Sequence, residues 1–131
     1  MIAILVGAIL NYSTIFHGKG RIKTIGVKIY FDQSCTNEVI ELDWGLLNPA
    51  SLNSRTLYIK NTCNIEITLN LTTKNWNPEN ASNFIFSSWN YSGQVIFPSE
   101  IIETNFYLQV SENITGIIDF SFDYIITALE L

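Results

Sequence analysis

The residues in this chain that could do acid–base, nucleophilic or metal chemistry are few and badly spaced for it. His17 is the only histidine, and it precedes the body of the chain, where a general base would have to work. Cys35 and Cys63 have no CxxC spacing and no histidine partner. This argues against a zinc site and against a cysteine nucleophile with its base. In an exported domain the two could form one disulfide. In a reducing compartment they would be two part-buried thiols, and the sequence leaves both open. Asp32, Glu41 and Asp43 cluster in sequence, and Asp119 and Asp123 fall on one side of an alternating stretch. Calcium takes several such oxygens, but no DxDxDG loop is present, so a solvated acidic face is the expectation. The pattern with most chemical content is Asn-X-Ser/Thr, which occurs five times, at Asn11, Asn70, Asn80, Asn90 and Asn113. Chance gives roughly two in so Asn-, Ser- and Thr-rich a chain. Asn11 lies in an apolar run and is set aside. Asn70, Asn80, Asn90 and Asn113 are the glycosylation candidates, on a polar strand face or beside turns, where a glycan can reach water.

The elements that must carry these residues are strands. Apolar residues alternate with polar ones almost everywhere after residue 22. Examples are Ile25-Val27-Ile29-Phe31, Ile40-Leu42-Trp44, Leu57-Ile59, Ile65-Ile67-Leu69-Leu71, Ile102 through Phe106-Leu108-Val110, and Ile118-Phe120-Phe122-Tyr124-Ile126. Period two marks strands with one wet face. Turn signals divide them at Asn48-Pro49, Asn61-Thr62-Cys63-Asn64, Asn77-Pro78, Ser92-Gly93, Pro98-Ser99 and Thr115-Gly116. The chain of 131 residues, 47% hydrophobic and 13% aromatic, is long enough to bury one core. The expected fold is all-β. It is an immunoglobulin-like antiparallel β-sandwich of about seven strands over residues 20–131, preceded by a hydrophobic segment at 1–19. Trp44, Trp76 and Trp89 are expected to pack between the sheets. Trp76 and Tyr91 are the pair that could otherwise make a sugar-binding platform.

The N-terminal run Ile2–Leu10 is uniformly apolar and is followed by Lys19, Arg21 and Lys23. Three roles compete for it: a membrane anchor or signal-like segment, a strand of this domain or one donated to a neighbouring subunit, and a buried helix. The rest of the chain carries four basic residues against all twelve acids. So acidic a body argues against a nucleic-acid partner, because phosphate binding needs a basic face. Only 15% of residues are charged, and Asn, Ser and Thr fill the polar positions instead, as suits an extracellular surface.

Seven short motifs stand in a familiar order: Cys35-Thr36, Asp43-Trp44-Gly45, Pro49-Ala50, Lys60-Asn61-Thr62-Cys63-Asn64, Asn75-Trp76-Asn77-Pro78, Ser88-Trp89-Asn90-Tyr91 and Gly116-Ile117-Ile118-Asp119-Phe120-Ser121-Phe122-Asp123. On these, Arg21–Ile126 resembles a group of small archaeal surface proteins with an N-terminal hydrophobic anchor and one immunoglobulin-like sandwich. The Pro turn and the strand ending Ile59-Lys60-Asn61 also look, more distantly, like camelysin/TasA-like sandwiches, whose members include filament subunits joined by donated strands. Two positions depart from the pattern. Cys63 stands where Gly is usual, and Ala50 replaces the Gly after Pro49, which disfavours a type II turn. The resemblance implies an anchored extracellular domain and transfers no catalytic residue.

The expected function is non-enzymatic: a cell-surface or envelope module, structural, adhesive or assembly-forming, with no cofactor. Its partners would be the membrane, through the N-terminal segment, and itself or other surface proteins, through edge strands. The alternatives are an extracellular binding domain for sugar or peptide and an accessory domain of a membrane complex.

Overall fold

The computed structural model describes residues 13–20 and 26–131. The run Ile2–Leu10, Asn11, the basic residues Arg21 and Lys23, and the start of the first expected strand at Thr24 and Ile25 lie outside these. Among the described residues the protein is all-β, with six strands: β1 Val27–Tyr30, β2 Leu52–Asn61, β3 Ile67–Asn77, β4 Ile85–Trp89, β5 Ile101–Val110 and β6 Ser121–Glu130. They form two wholly antiparallel sheets, one of four strands in the order β1-β2-β5-β4 and one pairing β3 with β6. The arrangement is sandwich-like, and one core lies between the sheets.

The alternation sets which side chains fill that core. On β2 and β5 the inward positions are Leu57, Ile59, Phe106, Leu108 and Val110; on β3 they are Ile67 and Leu69. The register Ile59↔Ile102 and Arg55↔Phe106 puts matching faces of β2 and β5 together. A one-residue slip would turn every one of these to solvent. Phe106 meets Tyr124 of β6 edge-on across the sandwich, with ring centroids 5.7 Å apart. The Ser87 hydroxyl donates to the Tyr124 hydroxyl at 3.1 Å and ties the sheets together.

The observed strands differ from the expected ones in two places. Ile40–Trp44 alternates in sequence but joins neither sheet; only a single bridge, Tyr30↔Glu38, precedes it. The segment lies over the end of the core as irregular chain, with Trp44 buried and Ile40 in water. Conversely, Ile85–Trp89 is a strand that is absent from the alternating stretches of the sequence. Its alternation is hidden by Phe86, which points outward and is half exposed.

Asn61 anchors one end of the molecule. Its side chain is fully buried. Nδ2 donates to the carbonyls of Ile65 and Ile96 at 2.9 and 3.0 Å, and Oδ1 accepts from the Cys63 N–H at 2.7 Å. Ile96 in turn exchanges both backbone hydrogen bonds with Ile67. One buried amide therefore holds the β2–β3 turn against the segment that closes the outer edge of β3.

Candidate functional site: the open edge of the second sheet

The two edges of the β3–β6 sheet are treated differently. Along β3, the first residues of the outer edge are covered: Ile67 by the Ile96 bridge and Leu69 by Tyr91, whose hydroxyl accepts from the Leu69 N–H at 3.1 Å and donates to the Gln94 carbonyl at 2.6 Å. Along β6, among the described residues, pairing runs with β3 alone. An exposed row of strand N–H and C=O groups is a template for another strand.

Beside that edge lies a groove of about 940 Å³. One wall is Phe120 through Ile126 of the β6 region. The other is Val39–Gly45, with Ile29 of β1, and the floor reaches core residues Leu57 and Phe106. Core side chains thus face a trough that the described chain does not fill. At its mouth Ile40 and Ile118 are 96% and 95% exposed, although a free apolar side chain of this size gains from burial. Four carboxylates, Glu41, Asp43, Asp119 and Asp123, line it with a single Lys74. Asp123 accepts from Asn75 Nδ2 at 2.8 Å.

Trp44 is held at this site by Arg55. The guanidinium lies 5.1 Å from the indole centroid and donates to the Trp44 carbonyl at 3.2 Å. Among the described residues the buried indole Nε1 has the Tyr124 hydroxyl as its polar neighbour and makes no other hydrogen bond. Burial raises the Tyr124 phenol above its ordinary pKa. The Ser87 hydroxyl and the neighbouring Trp44 indole oppose that rise.

The aromatic residues form packed clusters rather than a platform. Trp76 stacks on Phe122 with centroids 4.2 Å apart, and Tyr91 packs on Trp89; Trp76 and Tyr91 stand at opposite ends of one run of ring contacts through Phe122, Tyr124, Phe106 and Trp89. The glycosylation candidates Asn70, Asn80, Asn90 and Asn113 are all exposed. Asn70 sits on the outer face of β3 opposite Thr127, and the Asn90 side-chain carbonyl accepts from the Asn105 N–H.

Cys35 and Cys63 are free thiols in separate surroundings. Cys63 Sγ is buried under Gly26, accepting from its N–H at 2.7 Å and donating to its carbonyl at 3.0 Å. That contact gives the cysteine a packing role at a place where Gly would leave a gap. Cys35 lies in the loop organised by Asp32. The Asp32 carboxylate accepts from Ser34 Oγ, Thr36 Oγ1, and the N–H groups of Thr36 and Asn37. These bonds hold its pKa well below the ordinary carboxylate value, led by the Ser34 and Thr36 hydroxyls. Among the described residues no group of three or more His, Cys, Asp or Glu is placed to hold a metal ion. No described helix is long and apolar enough to cross a membrane.

Comparison of the chain with protein families, with curated proteins and with solved structures finds no match. The groove at the β6 edge was missed by sequence reasoning: the alternation over Ile118–Ile126 runs on before the strand, which begins at Ser121 with Ile118 left in water, and it carries no information on a neighbour at the strand's far side.

Proposed function

We propose that this chain is a non-enzymatic cell-surface or envelope β-sandwich that works as an assembly module, by accepting an extended strand along β6. The observation that carries this reading is β6, whose residues 121–129 pair, among the described residues, with β3 alone, beside a groove that core side chains face. The strand orders support an immunoglobulin-like reading. That fold has one sheet in the order A-B-E-D and a second in the order C-F-G. With β1 to β6 taken as A to F, the first order is matched in full and the second as far as C-F, and on this reading a seventh strand would lie beside F, at the groove. An added strand there would pair with the β6 backbone and set alternate side chains into the trough, the physics of β-strand addition. The resemblance to small archaeal surface proteins and the Asn-, Ser- and Thr-rich surface support the location. The same groove would suit a peptide if the chain were instead an extracellular binding domain.

Self-association separates these. Ile40→Lys with Ile118→Lys changes two residues that are already in water, so folding is little affected. An assembly module loses self-association in sedimentation velocity when these are changed. If the variant associates as the wild type does, the groove is not the assembly site and the proposal fails.

A further inference from the structure

The outer face of the first sheet carries a set of side chains that neither the core nor the groove uses. β1 and β2 pair in the register Lys28↔Lys60 and Tyr30↔Tyr58. Ile29 and Ile59 of the same strands turn to the core, so these four side chains stand on the opposite face. Residues directly opposite in an antiparallel pair have Cβ atoms about 5 Å apart, and residues two along a strand about 7 Å, so the four make one compact group. Glu38 bridges to Tyr30 and Glu103 pairs with Tyr58, which sets one carboxylate at each flank of the same face.

Lys28 and Lys60 are two of the four basic residues that follow Thr24, yet they stand side by side. Like charges set directly opposite oppose folding, and among the described residues neither lysine has a carboxylate partner. The tyrosines also differ from those inside the sandwich. Tyr91 and Tyr124 have hydrogen-bonded hydroxyls and rings packed on other rings. Among the described residues Tyr30 and Tyr58 have neither, and both are partly exposed. We propose that this face binds an acidic saccharide through a uronic acid unit. The sugar carboxylate neutralises the lysine pair, which is the charge complementarity that selects the ligand. The weakly positive C–H groups of the sugar ring lie against the electron-rich tyrosine rings. Sugar hydroxyls donate to Glu38 and Glu103, which can only accept. A small inorganic anion would leave the rings unused and meet repulsion from both carboxylates, and a neutral sugar would leave the lysines uncompensated. The site lies on the other sheet from the β6 groove, so an envelope module that assembles through β6 keeps it free.

The test titrates the full chain with oligogalacturonate and with alginate oligosaccharides by isothermal titration calorimetry. A maltooligosaccharide is the neutral probe and tripolyphosphate the inorganic anion. At least one uronate should bind, more weakly as salt rises, and the neutral probe and tripolyphosphate should bind at least about tenfold more weakly than it does. Lys28→Gln with Lys60→Gln, and separately Tyr58→Ser, should each weaken uronate binding at least about tenfold. The lysine variant should do so with an unchanged or raised melting temperature, because it removes a like-charge pair; a lost fold therefore cannot account for its loss of binding. Far-UV circular dichroism checks the Tyr58→Ser variant. No binding of either uronate, equal binding of tripolyphosphate or of the neutral probe, or uronate binding unchanged in the lysine variant overturns the proposal. So does a fall in self-association of the lysine variant in sedimentation velocity, which would make this face an assembly contact. The Ile40→Lys, Ile118→Lys variant should keep its uronate binding, so the groove and this face stand or fall separately.

Discussion

Replacing Asn61 by alanine should be among the most damaging single changes in this molecule. The amide makes three hydrogen bonds, to the carbonyls of Ile65 and Ile96 and from the Cys63 N–H, and it is fully buried. Each such bond contributes about 1 kcal/mol net, and a buried group left without a partner costs about 1–3 kcal/mol. The Ile96 carbonyl keeps its bond from the Ile67 N–H, so the heaviest loss falls on the Ile65 carbonyl and the Cys63 N–H. The expected loss is about 3–4 kcal/mol, a drop in melting temperature of about 10–15 °C for a chain of this size. Urea unfolding followed by tryptophan fluorescence measures it, with an unchanged slope expected because the folded surface is the same. Asn61→Asp should be worse, since it sets a carboxylate acceptor against two carbonyls in place of the donor and buries a charge. A loss below about 1 kcal/mol for Asn61→Ala would refute the reasoning, because three buried bonds cannot be removed that cheaply. The position also matters for function: releasing Ile96 would free the Ile67 end of the β3 edge and raise the tendency to aggregate.

Three other perturbations have defined outcomes. Ala50→Gly should stabilise by about 0.5–1 kcal/mol, because Ala50 holds a left-handed backbone (φ 59°) that glycine adopts without strain; a urea midpoint at or below that of wild type would contradict this. Thiol titration with an aromatic disulfide reagent should modify Cys35 in the native protein and Cys63 only on unfolding; finding no reactive thiol in the unfolded, unreduced chain would mean that the two are bonded. Because the folded carboxyl of Asp32 titrates below its unfolded value of 3.8, its contribution is complete above that value and is lost as pH falls below it. Thr36 and Asn37 amide resonances should therefore hold steady from neutral pH to about pH 4 and shift only below it, and Asp32→Asn should abolish the acid shift.

Much of the fold was legible in the alternation, and particular residues show where it stopped. Ile67 and Leu69 went inward and Asn70 outward because a half-buried strand leaves no other choice. Ile40–Trp44 carried the same pattern, but Gly45 at positive φ and the Asp43 side chain, which accepts from the Gly45 N–H, turn the chain away before it can pair. The Ile85–Trp89 strand was obscured because its outward Phe86 and inward Ser87 invert the expected polarity; Ser87 is inside to reach Tyr124. Ala50 was expected to resist its turn, yet the turn forms, with a strained alanine where glycine would fit. Tryptophans read as core residues are packed, Trp44 most deeply. The open edge could not be read at all: alternation tells which side of a strand is buried, never whether the strand has a second neighbour.

The central claim is that β6 accepts a strand along its free edge, and amide hydrogen exchange across Ser121–Ala128 tests it most directly. Strand pairing protects only amides that gain a partner. In the self-associated wild type the outward-facing amides of β6, alternating with those bonded to β3, should be protected. They should exchange rapidly in the Ile40→Lys, Ile118→Lys variant, while β3 and β5 stay unchanged. Equal exchange of those amides in the two proteins, at concentrations where the wild type is associated, would contradict the account.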